Sequence, residues 1–139
     1  MKKNNLIFKA LILIFSIQLG AGTVNKSPAD PREYNTFFLK NGIEVITVSD
    51  PELATSAATL SVGVGAFQDP EGAQGIAHFL EHMIFMGSKK YKSPNEYMEF
   101  ISQNGGSTNA FTAAEQTTYL FSINSKQFAP ALDRLSSAI

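Results

Sequence analysis

Gly75-Ile76-Ala77-His78-Phe79-Leu80-Glu81-His82-Met83-Ile84-Phe85-Met86 is the segment around which the rest of the chain organises. From Ile76 onward it has neither glycine nor proline, and Gly87, the residue type favoured just past a helix end, closes it. The pattern predicts a helix over Gly75–Met86. It is apolar nearly all round, which predicts a place in an interior. It nevertheless carries three ionisable side chains, His78, Glu81 and His82. An unpartnered buried carboxylate costs several kcal/mol, on the order of the effective penalty for a buried ion, so something must meet these groups.

The flanking sequence alternates strand and helix signals. On the N-terminal side, Tyr34–Leu39 and Ile43–Val48 are β-rich runs around Lys40-Asn41-Gly42, and Asn-Gly between such runs predicts a hairpin. Thr55–Val64 reads as a third strand. Gly63, Gly65, Asp69-Pro70 and Gly72 then mark a loop. On the C-terminal side, Ser93-Pro94-Asn95-Glu96 reads as a capping box with proline at the first helical position. It opens a second helix to Asn104, with Tyr97, Phe100 and Ile101 on one face and Gly105-Gly106 as the stop. Ser107–Ala113 and Thr117–Ile123 read as a strand pair. Phe128, Leu132, Leu135 and Ile139 recur at helical spacing. Together these predict an α+β fold, a largely antiparallel sheet with helices packed on one face. The last helix has no stop signal and ends on an apolar residue, so the sequence reads as an N-terminal fragment.

Length and composition narrow the function. The 139 residues amount to about one small domain. There is no cysteine, 44% of residues are apolar and the net charge is −1. That excludes a disulfide scaffold, a thiolate zinc finger and a disordered charged tail. No basic stripe exists to meet phosphates, so no nucleic-acid partner is expected. Residues 1–22 read as a secretory signal: Lys2, Lys3 and Lys9 precede the apolar run Ala10–Ile17 and the small residues of Leu19-Gly20-Ala21-Gly22. That run is shorter than the roughly 20 residues a membrane-spanning helix needs. The expectation is therefore a product without a stable membrane anchor, in the periplasm or secreted. Without the three leader lysines, 8 basic residues face 12 acidic ones. Residues 23–33 read as a polar linker, and 34–139 as one incomplete domain.

The spacing of the three ionisable residues carries the chemistry. Histidines four apart lie about 40° apart on a helix, so both imidazoles can reach one metal ion. Glu81 lies about 60° from His78 on the other side, close enough to touch a water on that metal without ligating it. This is the HExxH pattern of zincins reversed. It predicts that Zn²⁺ polarises a water and the scissile carbonyl, while the carboxylate takes the water's proton and passes it to the leaving amine. The bland alternative is a structural histidine pair, but these are the only two histidines in the chain.

Ala77-His78-Phe79-Leu80-Glu81-His82-Met83, followed by Met86-Gly87-Ser88-Lys89-Lys90-Tyr91, resembles the pitrilysin/insulysin family of zinc endopeptidases. Asn41-Gly42, Val48-Ser49-Asp50-Pro51, Gly63-Val64-Gly65, Asp69-Pro70-Glu71, Gln74-Gly75, Gly105-Gly106-Ser107-Thr108-Asn109-Ala110 and Ala131-Leu132-Asp133-Arg134-Leu135 fit the same family in order. The resemblance implies that His78 and His82 are zinc ligands and that Glu81 is the catalytic base. It implies that Asn109 and Ala110 belong to a strand that holds the substrate backbone by strand addition, with Phe111 lining a side-chain pocket. The implied substrates are peptides or small polypeptides, and the implied partner is a homologous second half or domain.

One family feature is missing. The third ligand is a glutamate roughly seventy to eighty residues past the motif, whereas this chain ends 57 positions after His82. Catalytic zinc sites usually carry three protein ligands. Glu96 and Glu99 read as solvated or capping residues and Glu115 as a turn residue. Two further readings follow: an inactive remnant or non-enzymatic partner subunit that keeps a weak zinc site, and a zinc transport or storage protein. The second leaves a buried glutamate and the substrate-strand match unexplained.

Overall fold

The computed structural model describes residues 24–139. The signal-peptide reading of 1–22 lies outside the described residues. The chain divides into two compact units, one ending at Asp50 and the other running Pro51–Ile139.

In the first unit β1 (Glu33–Phe38) pairs antiparallel with β2 (Glu44–Ser49), Phe38 opposite Glu44 and Glu33 opposite Ser49. The Asn-Gly signal produces the predicted hairpin through a three-residue loop. Gly42 N–H donates to Leu39 O at 2.9 Å, and Leu39 N–H donates to Ile43 O at 2.8 Å. Gly42 sits at φ 87°, a left-handed conformation that glycine adopts without a Cβ clash. The stretch read as a linker is not featureless. Asp30 accepts two hydrogen bonds from the Arg32 guanidinium and one from the Tyr34 hydroxyl. The Arg32 bond is the larger cause of an Asp30 carboxyl held far below the carboxylate range.

The second unit contains β3 (Thr55–Val62), α1 (Ile76–Ile84), α2 (Glu96–Gln103), β4 (Ser107–Thr112), β5 (Thr117–Asn124) and α3 (Phe128–Ala138). The three strands form an antiparallel sheet in the order β3-β5-β4. The central strand is rich in aromatic and β-branched residues, and its Tyr119, Phe121 and Ile123 all point to one face. Ala58 and Leu60 stand opposite Phe121 and Tyr119 on β3, and Thr108 and Ala110 do so on β4. On this face Tyr97, Ile101, Ala131 and Leu135 complete the buried core. Tyr97 meets Phe121 edge-on at 6.5 Å between centroids, and Phe121 meets Phe128 at 5.8 Å. Phe121, Ile101 and Ile123 are fully buried, each contributing about 1.5–3 kcal/mol of hydrophobic stabilisation. The α+β reading, helices on one face of an antiparallel sheet, describes this unit.

Three local expectations are corrected. The second helix starts at Glu96, with Asn95 at φ 67° and no side-chain cap, so Ser93 and Pro94 form a turn outside it. Glu96 does not close a capping box because its carboxylate accepts from Arg134 at 2.9 Å. For the same reason it is not a solvated residue. On α3 the buried positions are Ala131 and Leu135, with Phe128 packed beside them, while Leu132 and Ile139 are exposed. Alanine is too small to register in an apolar-periodicity reading, yet it is what lets the helix sit close to the sheet. The first helix stops at Ile84, three residues before Gly87.

Candidate metal centre

The helix α1 has three faces. Ala77, Glu81 and Ile84 are the residues that lose exposure towards the sheet, and Phe85 just beyond packs on the core. His78 and His82 occupy a second side. Ile76, Phe79, Leu80 and Met83 lie on the remaining side and are exposed, Phe79 by 63% and Leu80 by 58%. The prediction that this helix is interior therefore fails among the described residues. Its one buried side chain is the carboxylate, Glu81, at 6% exposure.

Local sequence explains why the helix starts where it does. Its N-cap is Gly75, which has no side chain to offer. Asp69 substitutes from the preceding loop: Oδ2 accepts from Gly75 N–H at 2.6 Å and Oδ1 accepts from Ala77 N–H at 2.9 Å. A carboxylate there satisfies orphan amides and faces the positive end of the helix dipole. The loop holding Asp69 is itself pinned to the β4–β5 turn, since Ala66 N–H donates to Ala113 O and Phe67 N–H to Ala114 O.

The two imidazoles converge. His78 Nε2 and His82 Nε2 are 3.1 Å apart, with ring centroids 4.8 Å apart. Two nitrogens on one tetrahedral zinc ion at about 2.05 Å each would lie about 3.3 Å apart. One donor atom from each of His78, Glu81 and His82 falls within a span of 4.8 Å. The donor set and its convergence fit a zinc ion held by the two histidines. Among the described residues this is the one His/Cys/Asp/Glu group of three or more with that arrangement.

Glu81 is met by a partner that the sequence reading did not single out. Thr112 Oγ1 donates to Glu81 Oε2 at 2.6 Å. Behind it, Thr117 Oγ1 donates to Val64 O at 2.9 Å and lies 3.4 Å from Thr112 Oγ1. Burial raises the Tyr119 phenol above its ordinary value, and the Glu81 charge adds to the shift. The period-2 alternation of a strand gave a usable signal for Thr112. It shares a face with Ala110, which already belonged to the candidate site.

The candidate substrate strand divides. β4 is an edge strand of the three-stranded sheet. Ala113 N–H donates to Gln116 O across the turn, and Ser125 N–H donates to Ala54 O at the other end of β5. Counting by twos from either bond gives one answer: Ser107, Asn109 and Phe111 spend their backbone groups on β5. The amides and carbonyls of Thr108, Ala110 and Thr112 then face the free edge. Ala110 packs against the core on the helix face. Asn109 and Phe111 are exposed and stand opposite Leu120 and Thr118, on the face away from the helices. The structure thus brings His78, Glu81 and His82 together beside the Thr112 end of β4. It puts the Asn109 and Phe111 side chains on the other side of the sheet.

The HxxEH group is thus borne on a helix beside the edge of an antiparallel sheet. Comparison with known proteins gives the family. Residues 44–139 match the family described as Insulinase (Peptidase family M16). The chain is 50% identical over 115 residues to insulin-degrading enzyme-like 2 of Arabidopsis thaliana, covering 83% of this chain and 12% of that protein. It is 41% identical to protease 3 of Escherichia coli strain K12, covering 95% of this chain and 15% of the relative. The crystal structure of pitrilysin superposes with a TM-score of 0.81 at 43% identity, over 84% of this chain and 12% of that one. The chain belongs to the insulinase family of peptidases, family M16. It spans about an eighth of the length of these relatives.

Proposed function

We propose that this chain carries the zinc-binding and base-bearing part of an endopeptidase acting on peptides or small polypeptides. The observation that carries the reading is the 3.1 Å approach of His78 Nε2 to His82 Nε2 with the buried Glu81 carboxylate beside them. His78 and His82 are the zinc ligands. Zinc bound there supplies Lewis-acid activation of water and of a peptide carbonyl. Glu81 accepts the proton of the attacking water and returns it to the leaving amine. The free edge of β4 at Thr108, Ala110 and Thr112 binds an extended peptide by main-chain pairing, leaving Asn109 and Phe111 to meet whatever covers the opposite face. The leader-like residues 1–22 point to the periplasm or the outside of the cell, and a homologous second half is the expected partner.

The test uses the complete gene product. His78→Ala is expected to abolish zinc binding measured by calorimetry. Glu81→Gln is expected to retain zinc and to lower kcat on a fluorogenic peptide by about 10²–10⁴-fold, the usual contribution of a general base. Intact turnover in Glu81→Gln would falsify the base assignment. A second reading keeps the metal site without catalysis. Among the described residues the group offers two protein ligands besides its base. Weak zinc binding with no hydrolysis by the complete product is the outcome that selects an inactive or partner-dependent subunit.

A further inference from the structure

We infer that Thr112 is a positioning residue for Glu81: its hydroxyl anchors one carboxylate oxygen to β4 and so keeps Glu81 available as a base instead of letting it close on the metal as a ligand. The inference rests on the zinc reading of His78 and His82 proposed above. Helix spacing alone does not make the choice. The three side chains each place a donor atom within 4.8 Å of the others, so the carboxylate is near enough to compete for a metal that the imidazoles would hold. Something must hold the carboxylate back.

The structure supplies one restraint, and it is rigid. Glu81 Oε2 accepts from Thr112 Oγ1 at 2.6 Å. Thr112 is β-branched and stiff about χ1, and it sits on a strand in register with Thr117 on β5. Thr117 is buried and gives its own proton to Val64 O. The Thr112 hydroxyl is therefore backed by a side chain that is itself tied to β3's C-terminal flank. Thr112 also shows its backbone to the free edge of β4, so the residue that would pair with an incoming peptide is the one that orients the base. A carboxylate left without this donor would be buried with an unmet oxygen, and metal ligation is the nearest remedy.

The experiment measures metal binding, not turnover, on the full chain. Zinc affinity and the visible spectrum of the Co²⁺-substituted protein are compared for the unaltered chain, Thr112→Val, Thr112→Ser, Glu81→Gln and the combined Thr112→Val/Glu81→Gln. Thr112→Val is expected to tighten zinc binding by about tenfold, the scale on which partners of a metal ligand change affinity. Its Co²⁺ spectrum should shift as a ligand is added, and Glu81→Gln should cancel both effects. Thr112→Ser, which keeps the hydroxyl, should match the unaltered chain. Thr112→Ala carries the same expectation if the valine variant does not fold by circular dichroism. Equal affinity and an unchanged spectrum in the hydroxyl-less variant would overturn the inference while leaving the zinc site standing. So would a change that persists when Glu81 is also replaced. If the unaltered chain binds no zinc, and His78→Ala makes no difference, the zinc reading itself falls and takes this inference with it.

Discussion

Gly65 shows how little space one residue can be given. Its backbone is extended, so it is not required for a left-handed conformation. What excludes a larger residue is proximity: an added Cβ would lie 2.3 Å from Ala113 O and 2.6 Å from Gln116 N. Both obstacles are backbone and cannot swing away. Gly65→Ala must therefore push the loop off the β4–β5 turn, and with it Asp69, which caps α1. The expected cost is about 1–3 kcal/mol, typical of overpacking. A thermal melt checks it, and an unchanged Tm would show that the loop moves freely. In the sequence Gly65 reads only as one of several loop glycines. Its neighbours across the turn are nearly fifty positions away, and no local pattern announces them. His78, Glu81 and His82 were legible because the helical repeat alone sets their relation. Thr112 was less so, because its meeting with Glu81 spans 31 positions.

At the scale of elements, burial makes a test through ionisation. The Tyr97 phenol on α2 is held above its ordinary value of 10.0, first by desolvation, with the Thr108 hydrogen bond opposing. Tyr119 on β5 is raised in the same direction, again first by burial. The folded form of each therefore ionises at higher pH than the unfolded form. Their contribution is fully present below about pH 10 and is lost as pH rises through the folded values. Urea unfolding should show stability that falls above about pH 10, and Tyr97→Phe should lessen the fall. A fall of the same size in Tyr97→Phe would assign it elsewhere. The pairing of these elements followed from strand alternation and the i, i+4 spacing of Tyr97 and Ile101. The start of α2 did not. Glu96 had two candidate partners, the backbone of a capping box or a distant cation, and Arg134 prevailed. That guanidinium lies 3.7 Å from the Phe100 ring centroid and is mostly withdrawn from water. There a charged hydrogen bond is worth more than a cap.

For the whole molecule, every buried apolar residue of the described chain belongs to the unit Pro51–Ile139. The β1–β2 hairpin buries none, and Phe37, Phe38, Ile46 and Val48 on it are exposed. A two-stranded hairpin is marginal by itself in water. A chain of residues 51–139 is thus expected to show the same cooperative thermal transition, by circular dichroism, as one of residues 24–139. A lost or broadened transition would show that the hairpin supplies stability to the second unit. The exposed apolar side of α1 belongs to this scale as well. Its sequence is that of an interior helix, yet among the described residues nothing covers Phe79 or Leu80, and the chain spans about an eighth of its relatives.

The sequence by itself determined what depends on neighbours along the chain. The Asn-Gly hairpin followed from local turn chemistry, and the alternation of β5 and the helical spacing of the two histidines from periods of two and 3.6 residues. Tertiary structure alone decided which face of α1 meets the sheet, that a threonine from β4 receives the glutamate, that Asp69 caps the helix across a loop, and that Ala110 but not Asn109 turns its backbone to the open edge. Those outcomes depend on register and on contacts between distant segments. Several residues of similar local character compete for each of them, and packing selects one.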